Sequence, residues 1–179
     1  AGAPMKGYFY RDETKQTIVH FSHQARDQIF VQALCEAAKA MPNHPDRPRW
    51  DDAMRLFGAY LKGLQTYTAP YGMLPAGIHS ITELEDSAAF DRVHPSVTFE
   101  GEKENHRQQL ESAISLGGGY YIKCFPVWFS YRGNSAIHLS MGKAASLLGV
   151  YFKDAQLMDI AREQLYWTMG KNPMGQSLI

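Results

Sequence analysis

The segment Tyr120–Asn134, with the sequence YYIKCFPVWFSYRGN, carries the side chains best suited to binding chemistry in this chain. Its aromatic and polar groups include Trp128, Tyr131, Arg132 and Asn134. Aromatic faces pack against the apolar side of a pyranose ring, while Arg and Asn side chains hydrogen-bond to its hydroxyls. We therefore predict a saccharide-binding loop. The alternative is that the rings fill one end of a helical bundle and that Asn134 only caps the next helix.

A second polar cluster lies at the start of the first predicted helix and contains His20, His23 and Arg26. The two histidines have i,i+3 spacing, but a metal site needs further ligands and the neighbouring sequence supplies none. We therefore predict no metal site here. These residues suit the lining of a saccharide cleft better, and the alternative is that they are surface or capping residues.

Hydrolysis of a glycosidic bond needs two carboxylates that face each other across the bond, one of them with a raised pKa. The candidate acidic residues are Glu83, Glu85, Asp86, Glu100, Glu102 and Glu104. Acidic runs of this kind are usually solvated surface, and none of these residues has an apolar sequence context. We therefore nominate no catalytic residue. The run Gly117–Gly119 follows a predicted helix instead of a strand, so we interpret it as a helix end and not as a phosphate-binding loop.

Apolar periodicity predicts the elements that position these residues. Helices are expected over Ser22–Met41, from Trp50 to about Ala69, over Glu104–Leu116, and after the capping residues Asn134 and Asp154. The first helix has an apolar stripe wide enough to predict burial on most of its circumference. The only strand candidate, PSVTFEG, is short. The predicted fold class is therefore all-α, built from helical hairpins.

The bulk composition narrows the function classes. A chain of 179 residues with 45% hydrophobic and 20% charged residues is typical of one globular domain. Lys plus Arg and Asp plus Glu balance at 18 each, so neither nucleic acid nor a membrane surface is an expected partner. No sequence motif predicts a cofactor. The two cysteines, Cys35 and Cys124, leave the redox compartment open.

The last third of the chain, from Phe125 onward, resembles the C-terminal part of a family 9 glycoside hydrolase, a cellulase-type enzyme. In that family an outer helix ends in the pattern Q-x-x-(W/Y)-x-x-G-x-N-P and leads into a Gly-rich turn. The residues that match here are Gln164, Trp167, Gly170, Asn172, Pro173, Gly175 and Ser177. Two earlier stretches, HFSHQARDQIFVQALCEAAKAMPNHPD and APYGMLPAGI, more loosely resemble a bacterial branch of six-hairpin glycosidase-like proteins.

The resemblance implies an α/α toroid of six helix pairs, of which about five helices fit in this chain. Residues 1–179 would then form a single partial domain, an incomplete toroid. The family's paired catalytic aspartates lie in an upstream Asp-x-x-Asp segment, and its acidic glutamate and a substrate-binding histidine follow the Asn-Pro turn. Because no counterpart is found here, we expect the chain to be a fragment that stops near Ile179, with the catalytic carboxylates outside it.

The function implied by the resemblance is hydrolysis of polysaccharides or oligosaccharides with inversion, by an enzyme exported to the bacterial periplasm or beyond. This chain would supply one wall of the sugar cleft and have little activity alone. Its partners would be the saccharide and either the rest of the toroid or a second copy, bound through exposed apolar helix faces. Two alternatives stay open: a polysaccharide lyase of the same fold, and a non-catalytic helical carbohydrate-binding or scaffold protein.

Overall fold

Most of the apolar stripes of the sequence fold into α-helices. The computed structural model describes residues 4–10, 13, 15, 18–19, 26–85, 99–125 and 134–179, and only the backbone of residues 26–28, 83, 99–101 and 134. Within these ranges there are five α-helices: α1 (Arg26–Ala40), α2 (Arg47–Gln65), α3 (Phe99–Glu111), α4 (Asn134–Phe152) and α5 (Ala155–Thr168). Short 3₁₀ turns span Thr66–Thr68 and Ile81–Leu84. In this part of the chain, no helix is both long and apolar enough to cross a membrane.

Three short strands form an antiparallel sheet with the order β1-β3-β2. They are β1 (Gly77–Ser80), β2 (Ile114–Gly117) and β3 (Tyr120–Lys123). The prediction of an all-α chain of helical hairpins, forming part of an α/α toroid, is therefore wrong. Each strand has only 4 residues. A run this short shows too little alternation to be distinguished from a loop by its pattern.

The run of three glycines closes the β2–β3 hairpin and does not end a helix. Gly118 and Gly119 lie between the two strands with φ values of 60° and 80°. Positive φ at both central residues matches the right-handed twist of the flanking strands, and glycine adopts it without steric cost. The strand candidate PSVTFEG was also wrong in its described part, because Phe99 and Glu100 belong to α3. Its residues 95–98 lie outside the described ranges.

The helices pack around α4. This helix lies against α5 and α1, and α2 contacts all three. Glycines allow the close approach of α4 and α5, since a Cβ at Gly149 would lie 2.7 Å from the Met158 sulfur. The core is built from apolar side chains on four helices and the sheet, namely Val31, Cys35, Ala38, Met54, Phe57, Leu61, Leu64, Ile78, Ile122, Met141, Ala144, Ala145, Leu148, Leu157 and Ile160. Burial around most of α1 was not found, because Ile29 is 55% exposed.

The sheet lies between this core and α3. Ile78 of β1 and Ile122 of β3 are paired in register and both are fully buried in the core. His79, the next residue of β1, belongs to the opposite face because side chains alternate along a strand. Its ring lies 5.8 Å from that of His106 on α3. The α3 helix therefore covers the outer face of the sheet.

A polar network joins the C-terminal ends of α1 and α4. The Arg47 guanidinium donates to the Ala38 carbonyl of α1 and to the Tyr151 hydroxyl of α4. Its Nε also lies 3.1 Å from the Asp51 carboxylate, to which Tyr151 donates at 2.8 Å. Because α1 and α4 pack side by side with their C-terminal ends at one arginine, they run in the same direction. Their first residues, Arg26 and Asn134, therefore lie at the same end of the bundle.

Candidate functional site

The first turns of α4 and the last turn of α5 meet around a buried histidine, His138. Its ring centroid lies 4.5 Å from that of Trp167, in an edge-to-face arrangement. The Phe125 ring, at the end of the described segment after β3, lies 6.2 Å from both rings. Only Lys153 and Asp154 separate α4 from α5. This short connection makes the two helices antiparallel, so that Trp167 lies near the start of α4.

Burial controls the electrostatics of His138. The residue is 2% exposed, and its Nδ1 atom has no hydrogen-bond partner among the described residues. Because the charged imidazolium is unfavourable in this apolar setting, burial lowers the pKa of His138 from its ordinary value of 6.5 to about 4. The ring is therefore neutral at neutral pH. A neutral imidazole offers one donor and one acceptor.

Residues of the sequence pattern that resembles family 9 make contacts in the second half of α5 and in the turn after it. Gln164 is fully buried, and its Oε1 accepts from the Leu74 backbone N–H at 2.7 Å. Its Nε2 donates to the carbonyls of Gly72 at 2.9 Å and Ile160 at 3.0 Å. Gln164 thus joins α5 to the segment that leads into β1. This position of the pattern has an architectural role.

The Asn-Pro turn closes α5. Asn172 is 4% exposed, and its Nδ2 donates at 2.8 Å to the carbonyls of both Trp167 and Gln176. Its Oδ1 accepts from the Met174 N–H at 3.0 Å. Gly170 has a φ of 125°, which L side chains rarely adopt. The turn is therefore held by the asparagine side chain, directly after the tryptophan that packs on His138.

The predicted saccharide-binding residues fall largely outside the described ranges. Nothing is described for His20, His23, Trp128, Tyr131 and Arg132. Arg26 and Asn134 are the first residues of α1 and α4, and for these two only the backbone is described.

The last residues of the two predicted clusters, Arg26 and Asn134, begin α1 and α4. Because α1 and α4 run in the same direction, these two helix starts lie at the same end of the bundle. Asn134 is four residues before His138 in α4. The other members of both clusters lie outside the described ranges.

Sequence reasoning did not select His138. The available signal was one histidine among the apolar residues Ala136, Ile137, Leu139 and Met141 in the first turns of the helix NSAIHLSMGKAASLLGVYF. Sequence patterns alone do not distinguish a satisfied surface histidine from a buried one, because the burial comes from Phe125 and Trp167 on other elements. Ser135, one helical turn before His138, is half-buried and lies on the same side of α4.

The acidic candidates with described side chains lie at the surface or in local contacts. Glu85 and Glu104 are exposed. Glu104 lies 3.8 Å from Arg107, and the half-buried Glu102 accepts from Asn105 at 3.0 Å. Among the described residues, no group of three or more His, Cys, Asp or Glu side chains could hold a metal ion. No catalytic carboxylate pair is assigned.

Comparison with known proteins gives no functional assignment for the site described above. The chain matches no protein-family model, no curated protein and no solved structure. The resemblance to family 9 therefore rests on the sequence pattern Gln164–Ser177 and the stretches before it.

Proposed function

We propose that this chain is part of a glycoside hydrolase acting on polysaccharides or oligosaccharides and that it supplies one wall of the sugar cleft. The observation that carries the proposal is the meeting of α4, α5 and Phe125 around His138 and Trp167. This cluster adjoins the two ends of segment 126–133, which contains Trp128, Tyr131 and Arg132. In this proposal, the end of the bundle that contains His138 and Trp167 forms the wall of the cleft.

The contacts of the Gln164–Ser177 pattern support the proposal. A string that resembles family 9 by chance would have no reason to form one connected set of contacts. Here Gln164 bonds to the strand-leading segment, Trp167 packs on His138, and Asn172 holds the turn. Three of the matching residues, Gln164, Trp167 and Asn172, therefore have defined contacts near the proposed cleft end. In this proposal the catalytic carboxylates are supplied from outside the chain, and the whole enzyme is periplasmic or secreted.

Replacement of Trp128 tests the proposal directly. If its ring packs on a sugar, Trp128→Ala should weaken oligosaccharide binding by about tenfold, because aromatic contacts of this kind contribute on the order of 1 kcal/mol or more. Isothermal titration calorimetry with soluble cello- and xylo-oligosaccharides measures the change. Trp50→Ala is the matched control, since Trp50 stacks on His44 at the start of α2, at the opposite end of α4.

The outcomes separate the alternatives. Equal weakening by Trp128→Ala and Trp50→Ala would indicate general destabilisation and would remove the support for a cleft. No binding of any saccharide by the parent chain would contradict the proposal. Hydrolysis of a saccharide is followed by reducing-sugar release. A lyase cleaves the bond by elimination and consumes no water. Unsaturated products that absorb in the ultraviolet would therefore identify a lyase instead of a hydrolase.

A further inference from the structure

The first turn of α4 lies beside a buried polar side chain. The helix has 19 residues, and its first turn contains no acidic side chain. The N–H groups of a first helical turn have no partner within the helix and carry a partial positive charge. Nothing on this turn of α4 therefore neutralises that end of the helix dipole.

His138 adds a second, independent feature. Its Nδ1 has no hydrogen-bond partner among the described residues although the side chain is 2% exposed. Cα–Cβ bonds in a helix tilt toward the N-terminus, so the ring lies over the first turn of α4. Its contact with Phe125, which precedes α4 in the chain, agrees with that direction. A buried polar atom without a protein partner is uncommon and needs an explanation, and a polar group supplied by a ligand is one.

Ser135 completes the set. It lies three residues before His138, on the same side of the helix, and is half-buried. Ser135 and the first-turn N–H groups thus lie within about one helical turn of His138, whose ring contacts Phe125 and Trp167. Helix N-terminal N–H groups favour negatively charged oxygens, whereas a neutral hydroxyl gains little from the dipole.

We propose that the first turn of α4, with Ser135 and His138, binds the carboxylate of an acidic sugar, so that the saccharide recognised by this protein contains uronic acid. This inference rests on the proposed saccharide-binding function and specifies its substrate class. The aromatic rings of Phe125 and Trp167 form the apolar border of the subsite, and the carboxylate accepts hydrogen bonds from the helix end.

The test uses sodium glucuronate, methyl glucoside and sodium acetate as probes, with NMR detection of the His138 imidazole. We expect glucuronate to bind about tenfold more tightly than methyl glucoside. A carboxylate near the ring favours the imidazolium, so glucuronate should also move the pKa of His138 upward from about 4, and acetate should do so more weakly. Methyl glucoside should leave the pKa unchanged.

Two variants locate the subsite without disturbing the core. Ser135→Asp places a carboxylate at the first turn, where it is favourable for the helix, and should abolish the preference for glucuronate. Ala136→Asp adds the same charge in the same turn at an exposed position on another face and should retain most of the preference. Equal effects of the two variants would overturn the assignment to Ser135 and His138.

The failure of this inference is distinguishable from that of the proposed function. Equal binding of glucuronate and methyl glucoside, with no change at His138, overturns the uronate subsite and leaves saccharide binding intact. A shift at His138 with acetate but no binding of either sugar supports the carboxylate site and contradicts the saccharide function. No response to any probe overturns the inference.

Discussion

His138 makes folding sensitive to acid. Its folded-state pKa of about 4 lies below its ordinary value of 6.5, so the unfolded chain binds the proton first as the pH falls. The stability that the neutral ring contributes is therefore complete above pH 6.5 and is lost as the pH falls from 6.5 to 4. The loss amounts to about 3 kcal/mol over that range.

Replacement of His138 isolates its contribution to the pH dependence of the unfolding free energy. His138→Phe removes the titrating group and keeps an aromatic ring between Phe125 and Trp167. Urea unfolding between about pH 7.5 and pH 4 should show a weaker decline of the unfolding free energy in the variant than in the parent. Parallel pH profiles for the two proteins would show that the ring is not protonated during acid unfolding. The carboxylates of the chain contribute equally to the pH dependence of both proteins, so their effect cancels in the comparison.

The sequence predicted some residues of the site and missed others for physical reasons. The sequence predicts Asn134 as the cap before α4, and the helix begins at Asn134 itself, so the local rule gives the helix start to within one residue. Gln164 and Asn172 were selected only as parts of a family-like pattern. Their tasks depend on partners such as Leu74 that are distant in sequence. His138 was missed for the same reason, since its burial depends on Phe125 and Trp167.

At the scale of elements, Gln164 links α5 to the segment before β1. Gln164→Leu leaves the buried Leu74 N–H without its acceptor and removes a donor to Gly72. A buried N–H that loses its partner costs about 2 kcal/mol, so the unfolding free energy should fall by that amount. Arg162→Ala, on the same helix, breaks only an exposed ion pair with Asp159 and should cost less than about 1 kcal/mol. Urea unfolding of both variants measures the difference, and equal costs would mean that the Gln164 contacts are dispensable.

Most helices were predictable from the sequence and the strands were not. The helix predicted over Glu104–Leu116 is found as Phe99–Glu111, and Ile114–Leu116 belongs to β2. The helix predicted over Ser22–Met41 is found as Arg26–Ala40, and the helix that follows the Asp154 cap is found as Ala155–Thr168. These segments carry their signal locally, through period and caps. The sheet depends instead on pairing between Gly77–Ser80 and Tyr120–Lys123, which lie far apart in the chain. Such pairing leaves little local pattern in strands of 4 residues.

At the scale of the whole molecule, the two layers of the fold have different tasks. The helical core of α1, α2, α4 and α5 sets the directions of the helices, and therefore brings the starts of α1 and α4 to one end. The sheet carries β3 from beneath α3 to Phe125 at that same end. The proposed cleft wall is thus positioned by packing on both layers.

Self-association through an apolar helix face is the last prediction. At the end of α5, Leu165 is 50% and Tyr166 48% exposed, and Met169, directly after the helix, is 61% exposed. Met169 is three residues after Tyr166 and four after Leu165, so the three side chains share one face. Exposed apolar clusters of this kind favour protein contacts, and we expect a second copy to cover this one. The sedimentation coefficient of the parent chain should therefore rise with concentration.

The double variant Leu165→Lys/Met169→Lys should remain monomeric, because the added charges repel across a two-fold interface. Gln108→Lys/Ser112→Lys adds the same charge at exposed positions on and just after α3 and should behave like the parent. A parent chain that sediments as a monomer at every concentration would mean that this face is simply solvated.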